Sequence, residues 1–126
     1  MILGFKQRFV PSIQSGVKIH TIRKDSKNRW KQGNKIHFAT GVRTKDFNCF
    51  LTGECKSIQK IKIEYDLSHA AKVFVDGRLL NHREIFELAT NDGFGGAYDF
   101  FQWFNEDFEG KIIHWTTLKY PQNATK

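Results

Sequence analysis

The hydrophobic pattern of this chain changes at Asn81. Before it, short apolar segments of strand length alternate with polar turns. After it, apolar residues recur at helical spacing. Met1–Phe5, Lys35–Thr40, Asn48–Gly53, Lys56–Tyr65 and Lys72–Val75 read as strands, with Asp76-Gly77 as a turn. The Asn48–Gly53 and Lys56–Tyr65 segments are expected to pair. Gln7–Ser15 reads as a short helix with Phe9, Val10 and Ile13 on one side, stopped by Gly16. Lys18–Arg23 then reads as extended chain. From Asn81, with Glu84 three positions on, a capping box predicts a helix over His82–Asn91 that buries Ile85, Phe86, Leu88 and Ala89. A second helix is expected over Ala97–Asn105, its aromatic residues Phe100, Phe101, Trp103 and Phe104 forming an apolar face. Gly110 precedes a last strand, Lys111–Thr117. This order predicts one α+β domain over residues 1–126, a mostly antiparallel β-barrel with a few flanking helices.

The core needed for such a fold is available. Hydrophobic residues make up 40% of the 126, with 12 Phe and 3 Trp, so the chain is expected to be globular. No apolar stretch approaches the ~18 residues of a membrane span, and the first residues hold no signal-peptide core. A cytoplasmic protein without a membrane partner is the expectation, a monomer being favoured. Cys49 and Cys55 lack further Cys or His at ligand spacing. They read as two reduced thiols, and neither a metal nor a cofactor is expected.

Charge is unevenly placed. Residues 1–63 carry 14 Lys/Arg and 3 Asp/Glu, a net of +11; residues 64–126 carry 6 and 10, a net of −4. Such a basic half attracts polyanions by counterion release. Lys24, Lys27, Arg29 and Lys31, in the polar stretch after Arg23, are the candidate phosphate contacts. Trp30 and Phe38 are candidates to stack a base, and His20 is the one histidine close enough to the following motif to join a ligand site.

The segment Gly16-Val17-Lys18-Ile19-His20-Thr21-Ile22-Arg23 resembles the GxKxxTxR signature of the ASCH domain, a member of the PUA-like β-barrel superfamily. Leu88-Ala89-Thr90-Asn91-Asp92-Gly93-Phe94, followed by Phe100 to Phe104, is similar to the family's acidic-Gly-Phe turn and aromatic helix. Ile112-Ile113-His114-Trp115 resembles its last strand. The resemblance implies an RNA- or modified-nucleoside-binding cleft around Lys18, Thr21 and Arg23. It also implies an alternative, an amidohydrolase acting on N4-acetylcytidine, because a group of small ASCH proteins does so with a Lys, a Thr and a Glu. Those roles fall on Lys18, Thr21 and Asp92, one methylene shorter than Glu. Lys18 would take the proton of Thr21 Oγ1, and Thr21 would attack the acyl carbon. Asp92 would orient Lys18 or protonate the leaving amine, and Arg23 would hold substrate or oxyanion. A ribonuclease using the Lys18 and Arg23 charges is the third reading. Lys18 and Thr21 are three apart, so on a regular strand they face opposite sides, and a bend must re-aim one of them.

Overall fold

The structure is a computed structural model and describes residues 1–122. Strands form two sheets. β1 (Ile2–Gly4), β3 (Lys35–Thr40) and β4 (Asn48–Glu54) make the smaller one, with β1 parallel and β4 antiparallel to β3. The larger is antiparallel throughout, in the order β2 (His20–Arg23), β8 (Phe108–His114), β5 (Ser57–Tyr65), β6 (Ala71–Val75), β7 (Arg78–Leu79). The α+β class stands, but among the described residues no strand pairing joins the two sheets into a closed barrel.

Alternation explains β5. Ile61 and Ile63 are buried while Lys60 and Lys62 face solvent. Leu3, Ile36, Phe38, Val73, Val75 and Ile112 are also buried, as is Ile113, which pairs with Ile58 on the opposite face of the larger sheet; each is at most 2% exposed. Over this core lie α2 (His82–Asn91) and α3 (Ala97–Trp103). Asn81 and Glu84 form both bonds of the expected capping box.

Several expectations are corrected. β4 does not pair with β5; after Glu54 the chain crosses to the other sheet, Cys55 bonding through its backbone to Gly33 and Asn34 and Lys56 to His114. Cys49 and Cys55 are free thiols, as expected, the first exposed and the second buried in this crossover. The last strand starts at Phe108 and ends at His114, because Phe108 and Glu109 find partners in Ile63 and Lys62. Gly110 therefore lies inside it, where a Cβ would stand 2.6 Å from the Arg23 carbonyl oxygen. The first helix is a 3₁₀ turn (Gln7–Phe9) followed by α1 (Val10–Gln14). Phe86 is 53% exposed, on the outer side of α2. No helix among the described residues is long and apolar enough to cross a membrane.

Candidate functional site

Lys18 reaches its place through backbone geometry. Gly16, at φ 83°, ends the turn of α1, and the amides of Val17 and Lys18 both bond to the Ser12 carbonyl. Lys18 thus precedes strand pairing, which begins at His20. The strand alternation rule does not apply to it, which is how Lys18 and Thr21 come to share one side. The next residue, Ile19, donates its amide to the Asn91 carbonyl at 2.9 Å. That bond ties the segment to the end of α2, and Asp92 follows directly in the turn.

Lys18, Thr21, Arg23 and Asp92 line one cavity of about 400 Å³. Lys18 Nζ donates to the Asp92 backbone carbonyl at 2.6 Å and lies 3.5 Å from Asp92 Oδ1. Arg23 donates to the Gly4 carbonyl at 2.6 Å and, through Nε, to Thr21 Oγ1 at 3.3 Å. Thr21 is buried, and its hydroxyl proton has no acceptor among the described residues. Burial holds the Lys18 amine below the usual lysine range; Asp92 opposes that shift and Arg23 adds to it. Phe5, Phe9, Phe94, Trp103 and Phe104 supply the apolar walls. Lys18 Nζ lies 5.0 Å from the Phe9 ring centre, and Arg23 Cζ lies 4.9 Å from that of Phe5.

Behind Asp92 runs a buried chain of hydrogen bonds. Asp92 Oδ1 accepts from His20 Nδ1 at 2.8 Å. Tyr120 OH accepts from Asn91 Nδ2 at 3.0 Å, which leaves its own proton for His20 Nε2 at 2.6 Å. Tyr120 is anchored in turn by Gln59, which receives its amide, donates to its carbonyl, and accepts from His114 Nε2 at 2.9 Å.

The structure brings Lys18, Thr21, Arg23 and Asp92 together. It separates the other candidates. His20 is fully buried and touches Asp92, not the cavity. Trp30 and Phe38 are core residues, 9% and 1% exposed; Phe38 packs against Phe5, Phe50 and Trp115 and offers no face to a base. Lys24 lines a larger, open hollow of about 680 Å³ on the solvent side of β5, which holds none of the motif residues. There, Lys62 and Lys111 are already paired, with Glu64 at 2.8 Å and Asp25 at 3.0 Å. Lys27, Arg29 and Lys31 are exposed and line neither hollow. Sequence reasoning missed Lys6, Phe5, Phe9 and Trp103. Spacing gave no signal for Trp103: three residues from Phe100 and next to Phe104, it reads as part of the same apolar face, yet it is 45% exposed at the cavity edge while Phe100 is fully buried.

Compared with known protein families, with curated proteins and with solved structures, the chain matches none.

Proposed function

We propose that this cavity binds a single nucleobase, presented as a modified nucleoside or within RNA, and that the fold belongs with the PUA-like superfamily. One observation carries the reading: four polar side chains of the motif and the acidic turn, from segments 71 residues apart at Thr21 and Asp92, converge on one aromatic-walled hollow. Its volume suits a nucleoside-sized ligand. The rings offer apolar contact to a base, Arg23 and Thr21 offer donors, and Asp92 accepts from an exocyclic amine. The resemblance to ASCH domains supports the same ligand class.

A second reading, hydrolysis of an N4-acyl amide, is favoured by the desolvated Lys18 amine in the same cavity as the Thr21 hydroxyl. A neutral Lys18 can accept the Thr21 proton as Oγ1 attacks the acyl carbon, and then return it to the leaving amine as the C–N bond breaks and the ester forms; water then cleaves the ester, giving the acid and restoring the Thr21 hydroxyl. The ribonuclease alternative has less support, since no histidine lines the cavity among the described residues.

Calorimetric titration with cytidine and N4-acetylcytidine tests the primary reading. Wild type binds at least one of them, and the Lys18→Met protein, verified as folded, binds at least tenfold more weakly. Equal binding by both proteins, or none by wild type, rejects it.

A further inference from the structure

The cavity continues past its mouth. Lys6 and Trp103 line it and also line an adjoining shallow hollow of about 360 Å³ with Arg8, Gln102 and Asp99. Trp103 is 45% exposed. Lys6 Nζ lies 5.5 Å from its ring centre and Arg8 Cζ 5.2 Å, with Arg8 also 4.7 Å from the Phe9 ring. Neither cation has a carboxylate within ion-pair distance among the described residues. Asp99 is the single acid lining the hollow, so positive charge prevails there.

An exposed indole with two unpaired cations against it, continuous with a nucleobase-sized cavity, presents the two features that bind single-stranded nucleic acid. Aromatic surface stacks bases, and cations track the phosphates. Because Lys6 and Trp103 belong to both hollows, a strand would pass from one to the other without crossing bare surface. We infer that the cavity's occupant is one nucleotide of a single strand, and that its neighbour lies on the Lys6, Arg8 and Trp103 rim. The flanking base stacks on Trp103, and the connecting phosphate faces Lys6 and Arg8. This rests on the nucleobase reading and narrows it from a free nucleoside to a nucleotide in a chain. It also moves the phosphate contacts from the Lys24–Lys31 stretch to the rim.

Equilibrium binding of cytidine, hexacytidylate RNA and the corresponding DNA is measured from low to physiological salt. The proteins are wild type, Arg8→Gln and, as a comparison on the other basic stretch, Arg29→Gln. Arg8 does not line the cavity and is exposed, so its replacement leaves the fold and cytidine affinity intact. At least one hexanucleotide binds wild type at least tenfold more tightly than cytidine. Arg8→Gln lowers that affinity several-fold and makes log K against log salt shallower by about 0.7, one phosphate contact on a single strand. Arg29→Gln changes neither. The RNA and DNA arms report which sugar the rim accepts, and either one supports the strand. A hexanucleotide that binds no better than cytidine overturns the rim while leaving the nucleobase reading in place. So does a loss that falls on Arg29→Gln instead of Arg8→Gln. Failure of cytidine and both hexanucleotides to bind removes the nucleobase reading itself, and the rim with it.

Discussion

His20 Nδ1 stands 2.8 Å from Asp92 Oδ1, and both side chains are almost completely buried. The imidazole fixes the carboxylate from behind and leaves the cavity side to Lys18 and a ligand. Tyr120, 100 residues from His20, fixes the imidazole in turn.

Tyr120→Phe tests this support. The change removes only a hydroxyl, yet it leaves His20 Nε2 and Asn91 Nδ2 without that buried partner. A loss of about 1–3 kcal/mol is expected for such a buried group, read as a lower urea midpoint at unchanged m-value. Nucleoside affinity falls as well, although Tyr120 does not line the cavity. A variant as stable as wild type would show that the hydroxyl does not hold the network.

Asp92→Glu is expected to weaken the site. Asp92 is 3% exposed, with His20 on one side and Lys18 on the other. An added methylene pushes the carboxylate off its bonds to His20 and Lys18, and the loss of a buried, charge-assisted partner costs about 1–3 kcal/mol. Both thermal stability and N4-acetylcytidine binding should drop. An increase in hydrolysis would mean instead that the shorter acid holds back a glutamate-type enzyme.

If the amide is cleaved, Lys18→Ala and Thr21→Ala should each abolish turnover, and the double variant should be no worse than either, because the two act on one proton transfer. Turnover should rise with pH through the Lys18 pKa, which burial holds below 10.5, since the neutral amine is the base. Cytidine release by the Lys18→Ala protein at the wild-type rate would reject the mechanism.

His114 predicts an acid-side weakness. Burial, and then the neighbouring His20, push it down to about 3 from 6.5, and its Nδ1 has no partner among the described residues. Between those values the unfolded chain binds a proton that the folded chain does not. Stability is therefore lost as pH falls from about 6.5 toward about 3, and above 6.5 this group has no effect. His114→Gln keeps a donor for Gln59 and removes the titration. Its stability should fall less steeply in that window, by at most about 1.4 kcal/mol per pH unit. Parallel curves for the two proteins would exclude His114 as the cause.

Local chemistry made some of this legible in the sequence. α2 is found over the residues expected because Asn81 and Glu84 cap it with their own side chains and Gly93 follows it. The resemblance already grouped Lys18, Thr21 and Asp92, and the structure does bring them to one cavity; what it adds is the aromatic wall and the buried bonds behind Asp92. The limits of β8 were not legible, since Ile63 and Lys62, far away in the chain, decide where pairing starts. Phe38 and Trp30 look alike as free aromatics or core residues until the sheets pack around them. Tyr120 had no local signal at all; its role follows from Gln59 holding its backbone on both sides.

Gly93 joins two demands at one position. Its φ of 92° suits glycine, and a Cβ there would lie 3.1 Å from Lys18 Cδ. That contact falls on the carbon stem of Lys18, short of the amine. A single methyl at residue 93 would leave every reactive group of the site chemically intact while shifting the lever that aims one of them. The position therefore acts as an alignment stop: the chain can lose its aim there without losing any of its chemistry.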